Sequence, residues 1–248
     1  MPLPRELFAA TLLLASAFPV LCHGATQWRT PKTATEAQIN VAIVITEHAN
    51  VIDFSGPAEV FQDASVAIRD GDKEVMASPF RVYTVGESRK PVKVGSGLTV
   101  VPEYTFDDAP PAQIVVVGAQ MGSPRMLEWV GKVGRDAKTD VLMSVCTGAF
   151  KLAAAGLLDG KHATTHHDFF DKFAKEHPKV TLDRGARFVQ SDGRIFTAGG
   201  LTSGVDLALH IVSLYYGKDV ALQTAKYMEY TPAASSGLAK GVARGDGH

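Results

Sequence analysis

Three short runs of apolar residues constrain the fold of this chain more than any other feature. They are Asn40–Thr46 (NVAIVIT), Gln113–Val117 (QIVVV) and Asp140–Val145 (DVLMSV). Each run is rich in β-branched or other apolar residues, and each lacks the polar alternation of a strand with one solvated face. The runs therefore predict strands that are buried on both sides. Because segments with helical apolar spacing alternate with strands, we expect an α/β domain with a largely parallel central sheet covered on both faces.

The rest of the sequence extends this alternation. Further strands are predicted at 80–85, 187–190 and 194–198, together with a hairpin or an edge excursion over 93–104. Helices are predicted between the strands, and Pro57 suits the first position of the first helix. The predicted helices span 57–69, 124–138, 148–158, 168–175, 202–216 and 219–230.

The N-terminal residues have the layout of a secretory signal peptide. Arg5 precedes a nearly continuous apolar run, Leu7–Leu21, and small residues follow at Gly24 and Ala25. The run is shorter than the roughly 20 residues of a membrane span, which favours cleavage of the signal peptide. The alternative, that the segment is retained as a membrane anchor, stays open. The predicted organisation is a signal peptide at 1–24, a polar leader at 25–38, one domain at 39–230 and a tail at 231–248.

Charge and export narrow the range of partners. The chain has 25 basic and 26 acidic residues and a net charge of −1, so no basic field exists to concentrate nucleic acid. We therefore expect no nucleic-acid partner. After removal of the leader, we expect a periplasmic or secreted bacterial protein with no stable membrane association.

Cys146 is the one cysteine left once the leader, which contains Cys22, is removed. A single thiol cannot form an internal disulfide, so it is either a small core residue or a functional group. The segment Ser144–Ala149 (SVCTGA) places it between a buried strand and a helix, as in a nucleophile elbow. We expect this turn to expose the thiol, and the N-terminus of the helix to favour the thiolate. Free backbone amides there could also stabilise a developing negative charge.

Five segments in a consistent order resemble the DJ-1/PfpI superfamily, which is related to the class I glutamine amidotransferases. The branch they resemble most is that of the isonitrile hydratases. The resemblance covers nearly all of the predicted mature chain, from about residue 40 to residue 241. The segments are Asp53–Phe61 (DFSGPAEVF), Val115–Gly118 (VVVG), Cys146–Gly148 (CTG), Ala163–His166 (ATTH) and Ala198–Asp206 (AGGLTSGVD).

The resemblance implies a flavodoxin-like three-layer sandwich, a homodimer, a small-molecule substrate, and no metal or organic cofactor. It carries Cys146 over as the catalytic nucleophile and Asp53 as the acidic partner that shuttles a proton or activates water. Thr147 carries over as the residue after the nucleophile. Its backbone amide, with an amide near Gly118 and Ala119, would form a pocket for an anionic intermediate.

The chain departs from the superfamily pattern at two places. Protease-like and glyoxalase-like members commonly have histidine directly after the cysteine, whereas this chain has Thr147, which argues against peptidase chemistry and for the hydratase branch. Where the superfamily usually has Pro-Gly-Gly, this chain has Gly118, Ala119 and Gln120. Gln120 would either add a side-chain donor to the anion pocket or narrow it.

Several other polar residues have a structural and a functional interpretation. Asp53 could instead be a turn or capping carboxylate, and Glu59 lies on a helix face that is either solvated or functional. Asp206 fits a capping box with Ser203, which is a structural role. It is therefore kept only as a support residue at the edge of the substrate site.

The neighbouring histidines are interpreted separately. His166 is the better candidate for the edge of the substrate site, whereas His167 is expected to point to the opposite face, which would exclude a metal-binding pair. Asp168 is expected to cap the following helix.

The sequence thus favours a cysteine-dependent hydratase or hydrolase that acts on a small electrophile such as an isonitrile. The alternative is a non-catalytic periplasmic protein of the same fold that binds a ligand, senses oxidation or protects against stress. Similar domains form the front half of some AraC-type regulators, but no helix-turn-helix signal is seen. An enzyme would need Cys146 and Asp53 together, whereas a redox sensor would need Cys146 alone.

Overall fold

The computed structural model of the protein describes residues 38–236. The predicted signal peptide, nearly all of the polar leader and the tail beyond Ser236 lie outside the described residues. The strands are β1 (Ile39–Val44), β2 (Val66–Asp70), β3 (Lys73–Ala77), β4 (Phe80–Gly86), β5 (Val92–Lys93), β6 (Thr99–Val100), β7 (Tyr104–Thr105), β8 (Ile114–Val117), β9 (Val141–Ser144), β10 (His162–Ala163), β11 (Thr181–Leu182), β12 (Phe188–Gln190) and β13 (Ile195–Ala198). The helices are α1 (Val51–Asp63), α2 (Pro124–Arg135), α3 (Gly148–Ala154), α4 (Phe170–Glu176), α5 (Ser203–Tyr216) and α6 (Lys218–Tyr227).

Seven strands form the central sheet, in the order β12-β13-β9-β8-β1-β4-β7. All neighbouring pairs are parallel except β12 and β13, which form an antiparallel pair at one edge. The four strands β13, β9, β8 and β1 are adjacent and parallel, so their carboxyl ends meet at one edge of the sheet. Ligands of open α/β sheets bind beyond this edge.

Helices cover both faces of the sheet and bury a separate apolar cluster on each. Helices α1, α5 and α6 pack on one face, over residues such as Val41 and Ile43 of β1. Helices α2, α3 and α4 pack on the other face, over Ala42 and Val44. Side chains of a strand alternate between its two faces, and both faces of β1 are apolar, which is why its sequence shows no polar alternation. The predicted flavodoxin-like three-layer architecture is confirmed.

Six of the seven strands of the central sheet, all except β7, begin and end within two residues of their predicted bounds, but the first helix does not. Helix α1 begins at Val51, so Pro57 lies inside it rather than at its start. It ends at Asp63, and the residues predicted to continue it form the antiparallel hairpin of β2 and β3. The overlooked signal was Gly71-Asp72, the two-residue loop between Asp70 and Lys73, with Gly71 at a φ of +61°.

Smaller differences lie in the connections. The predicted hairpin over 93–104 is confirmed as the β5–β6 pair, but Tyr104 leaves it and joins the central sheet through β7. The short parallel pair β10–β11 was not predicted. Helix α3 ends four residues earlier than predicted, just before Gly156 turns the chain with a φ of +71°. Within the described part of the chain, no helix combines the length and the apolar content needed to cross a bilayer.

Gly148 lets the elbow after β9 pack directly against the end of β8. A Cβ atom at this position would lie 2.0 Å from the carbonyl oxygen of Val117 and 3.1 Å from that of Gly118. These are backbone atoms of a buried strand, so they cannot move aside as a flexible side chain could. The glycine is therefore required for the close approach of two neighbouring loops at the carboxyl edge.

We expect Gly148→Ala to lower the free energy of unfolding by about 3 kcal/mol or more, because the added methyl group overlaps backbone. Urea denaturation would measure the loss. Gly71→Ala is the matched control: its Cβ would meet nothing within 4 Å, so only the positive φ opposes it, at a cost of about 1 kcal/mol. Equal losses in the two variants would contradict the proposed close approach.

Candidate active site

The carboxyl edge of the sheet brings together the residues that follow four adjacent strands. Asp53 lies in the first turn of α1 after β1, Gly118 follows β8, Cys146 follows β9, and Leu201 follows β13. The parallel strand order makes these positions neighbours although they are far apart in the chain.

Cys146 occupies a strained backbone conformation at the elbow. Its φ of +58° lies in the left-handed region, which is unusual for a residue other than glycine. Its amide donates to the carbonyl of Gly199 at 2.8 Å, and its carbonyl accepts from the Thr165 hydroxyl at 2.8 Å. These bonds to two other loops hold the turn in place, as expected where strain is retained at a functional site.

The Cys146 side chain is buried, and the prediction that it is exposed is wrong. Only 6% of the residue is accessible, and it belongs to the apolar cluster under α1 and α5. The turn lifts the backbone to the sheet edge as predicted. Asp53 and the turn at Leu201, however, lie against the sulfur and shield it from solvent.

Asp53 is also fully buried. Its Oδ2 accepts a hydrogen bond from the Ala119 amide at 3.0 Å, whereas Oδ1 is buried without a hydrogen-bond partner of normal geometry among the described residues. Gly118 permits this packing, since a Cβ there would lie 2.9 Å from the Asp53 Cβ. The carboxyl also lies close enough to interact with the Cys146 thiol and the Leu201 amide.

Burial raises the proton affinity of both members of this pair. Desolvation raises the pKa of Asp53 above its ordinary value, and the Ala119 amide and the Cys146 thiol oppose the rise. Desolvation also raises the pKa of Cys146 to about 12, and the Asp53 charge adds to this rise. Amides of Thr147 and Leu201 act in the opposite direction but are outweighed. The expectation that the helix N-terminus favours the thiolate is therefore wrong for the unliganded site.

The amides are arranged differently from the predicted anion pocket. The Thr147 amide faces the sulfur, as expected, but the Ala119 amide is already bonded to Asp53. The second amide at the sulfur belongs to Leu201, whose φ is +54°. Sequence analysis missed Leu201 as a site residue. The available signal was the pair Gly199-Gly200 directly after the strand β13, which allows a tight turn at the sheet edge.

The structure places Gln120 behind the site. The residue is buried, and its Oε1 accepts from the amide of Thr46 at 2.7 Å and from the Thr46 hydroxyl at 3.0 Å. Its Nε2 donates to the carbonyl of Val44 at 3.1 Å. Because the amide group is used to join the loops after β1 and β8, the predicted extra donor in the anion pocket is not formed.

His166 lies at the edge of the site, where it was predicted. Its ring packs on Gly200, where a Cβ atom would lie 2.2 Å from His166 Cδ2. A positive charge on this ring would lower the pKa of Asp53. Its Nδ1 accepts from the Asp168 amide at 3.2 Å, so a neutral ring carries its proton on Nε2. His166 therefore caps the short 3₁₀ turn that begins at His167. Helix α4 has no side-chain cap, so the prediction that Asp168 caps it is wrong.

His167 does not point to the opposite face. The chain here is a short 3₁₀ turn, not a strand, and the rings of His166 and His167 stack with centroids 4.4 Å apart. Together with Asp168 they place ligand atoms within 4.8 Å of one another, although His167 and Asp168 are exposed. The absence of a metal therefore stays a prediction.

Asp206 supports the site from below. The capping-box interpretation is wrong, because α5 has no side-chain cap and Thr202 is its N-cap residue. Instead, the fully buried Asp206 carboxylate pairs with Arg187. Arg187 in turn donates to the Thr202 hydroxyl at 3.0 Å, which fixes the residue next to Leu201. No contact of Asp206 with the sulfur or with Asp53 is found among the described residues. Glu59, by contrast, is exposed.

The DJ-1/PfpI family model matches residues 39–214, which is most of the chain. The chain belongs to the DJ-1/PfpI family. It is 34% identical over 171 residues to the isonitrile hydratase of Pseudomonas putida, covering 66% of this chain and 72% of that protein. Among solved structures, a ThiJ/PfpI family protein from Pseudomonas syringae is similar, with a TM-score of 0.65, 26% identity and coverage of 90% of this chain and 85% of that one.

Family members with a different role are also similar to this chain. The HTH-type transcriptional regulator CdhR of Pseudomonas aeruginosa is 26% identical over 155 residues. That match covers 60% of this chain but only 45% of the regulator. Membership of the family therefore does not by itself assign an enzymatic activity.

We expect Asp53→Asn to change how stability depends on pH. The folded protein holds the Asp53 proton more tightly than the unfolded chain does, so this stabilisation is present below about pH 4 and is lost as the pH rises through the folded pKa. Wild type should therefore lose stability relative to Asp53→Asn from pH 4 to pH 8, by about 1.4 kcal/mol for each pKa unit. Urea unfolding at several pH values tests this. A constant difference would contradict it.

We expect slow alkylation of Cys146 by iodoacetamide, because a thiol with a pKa of about 12 contains little thiolate at neutral pH. In a Cys22→Ser background at pH 7.5, the rate should be at least about a hundredfold below that of a free cysteine, whose pKa is about 8.5. Intact-mass time courses would measure it, with urea-unfolded protein as the control. Fast labelling that is constant above pH 6 would instead indicate a preformed thiolate.

Proposed function

We propose that this DJ-1/PfpI protein is a cysteine-dependent hydratase that converts a small isonitrile to the corresponding N-substituted formamide. The observation that carries the proposal is the buried contact between the Cys146 thiol and the Asp53 carboxyl. Similarity to the Pseudomonas putida isonitrile hydratase supports the choice of reaction. Thr147, in place of the histidine common in protease-like members, supports a reaction other than peptide hydrolysis.

The high proton affinity of the pair suits this chemistry. An isonitrile carbon must gain both a proton and a nucleophile, and the buried thiol beside Asp53 can supply both. In the first step, the thiol proton passes through Asp53 to the isonitrile carbon and a carbon–sulfur bond forms, giving a thioformimidate on Cys146. The net addition of the S–H group across one carbon leaves no charge to stabilise in a dry site.

Water then completes the reaction. Asp53, as the carboxylate, takes one proton from water as the hydroxide adds to the thioformimidate carbon, and passes that proton to the nitrogen. The carbon–sulfur bond then breaks, the hydroxyl proton of the adduct passes through Asp53 to the Cys146 sulfur, and the formamide leaves. The amides of Thr147 and Leu201 would stabilise the departing thiolate, since both face the sulfur.

The experiment compares turnover of cyclohexyl isonitrile by four proteins: wild type, Cys146→Ala, Asp53→Asn and Glu59→Gln. Glu59 is the matched control, because it is an exposed carboxylate on the same helix as Asp53. We expect formamide production, followed by chromatography, to fall at least about a hundredfold in the first two variants, as general acid–base catalysis is typically worth 10²–10⁴. Glu59→Gln should stay within about twofold of wild type.

Two results would contradict the hydratase proposal. One is the absence of turnover by a folded wild-type protein, and the other is turnover that survives loss of Cys146.

The similarity to CdhR supports the second candidate, a ligand-binding domain without catalysis. That candidate predicts ligand binding that persists in both Cys146→Ala and Asp53→Asn. A redox sensor is less well supported, because a buried thiol with a raised pKa oxidises slowly.

A further inference from the structure

A cavity of about 410 Å³ lies next to the residue that follows the nucleophile. Helix α3 forms one wall, with Thr147, Phe150 and Lys151, and Phe169 and Lys172 come from the α4 side. We call it the α3–α4 cavity. Its volume is within the range of small-molecule sites.

Lys151 reaches this cavity without a carboxylate partner among residues 38–236. It is half-buried, and its stem lies on Gly122, where a Cβ would be 3.1 Å from Lys151 Cε and 3.3 Å from Nζ. The missing side chain at Gly122 thus leaves the room that the lysine occupies. The ammonium group is partly desolvated and has no counter-charge within ion-pair distance among these residues, so a bound anion would offset part of the cost of its burial.

A second cation makes the cavity more positive. Burial and the charge of Lys172 both lower the pKa of Lys151. Lys172 itself forms a loose pair with Glu176, 3.9 Å apart, and lies 5.9 Å from the centre of the Phe150 ring. Glu176 also lines the cavity, so the lining carries two cationic side chains and one anionic side chain, and the exposed Lys172–Glu176 pair is weak. A bound anion would therefore be attracted to both lysines and would relieve their mutual repulsion.

The remaining walls are apolar. Leu127, Phe150 and Phe169 line the cavity, and 38% of Phe169 is exposed to solvent. Phe169 also contacts the ring of His166, with centroids 5.9 Å apart, so the apolar wall continues toward the edge of the active site. Apolar walls with a few polar groups are the usual form of a small-molecule site.

The spacing along the chain places Lys151 close to the residue that follows the nucleophile. Lys151 is four residues after Thr147, so the two lie on one face of α3. A carboxylate held by Lys151 would therefore lie on the side of α3 that also carries Thr147.

We propose that the α3–α4 cavity is a specificity site that binds the carboxylate of a small substrate through Lys151. The inference rests on the proposed function and names its substrate class: small isonitriles that carry a carboxylate. Lys172 assists by attracting the anion, and the phenylalanines contact the hydrocarbon part.

The first test compares isocyanoacetate with its uncharged methyl ester. For wild type we expect kcat/KM to be at least about tenfold higher for the carboxylate, since only the carboxylate can form a charge-assisted hydrogen bond with Lys151. Lys151→Met should lose about tenfold or more on isocyanoacetate and stay within about twofold on the ester. Lys175→Met, an exposed lysine of α4 outside the cavity, should match wild type on both.

The second test does not depend on turnover. Calorimetry would measure binding of N-formylglycine and its methyl ester to Cys146→Ala and to the double variant Cys146→Ala, Lys151→Met. Stronger binding of the acid, lost with Lys151, supports the inference even if no isonitrile reacts, in which case only the hydratase proposal fails. Equal binding of acid and ester, or acid binding that survives Lys151→Met, overturns the inference. So does isonitrile turnover with no preference for the carboxylate.

Discussion

The buried contact between the Asp53 carboxyl and the Cys146 thiol is the interaction on which the site depends. Neither group would normally be placed in an apolar environment, because each loses the solvation of its charged form. One hydrogen bond from the Ala119 amide holds the carboxyl, and two amides face the sulfur. Three loops pack closely around this pair. They can do so because Cys146 adopts a strained backbone conformation and because Gly118 and Gly148 have no side chains.

This environment changes the chemistry that the thiol can perform. A cysteine at a helix N-terminus is often a ready thiolate, but here desolvation outweighs the amides, and the helix has only seven residues. The Cys146 thiol therefore retains its proton at neutral pH. Such a site suits a reaction that needs acid and nucleophile at one carbon better than one that needs a strong nucleophile alone. This is the physical basis for placing isonitrile hydration ahead of oxidation sensing.

The support around the pair comes from residues with no chemical role of their own. Gln120 joins two loops behind the site, and Asp206 with Arg187 fixes the turn that presents the Leu201 amide. Buried ion pairs contribute little net stability, so the main effect of the Asp206–Arg187 pair is to orient the residues around it. Lys151 of the α3–α4 cavity differs from these groups, because it has no carboxylate partner among the described residues, and a bound carboxylate would supply one.

The sequence alone determined the fold class and six strands of the central sheet, because short apolar runs follow from local patterns, and it singled out Cys146 at the turn after one of them. The pairing of Cys146 with Asp53 was expected from the resemblance to the DJ-1/PfpI superfamily. Tertiary structure alone decided that the thiol is buried, that Gln120 points away from the anion pocket, and that Leu201 supplies the second amide. It also decided that His166 and His167 stack, which no strand periodicity could predict. Burial and hydrogen-bond partners depend on loops distant in the chain, so a local pattern carries no record of them.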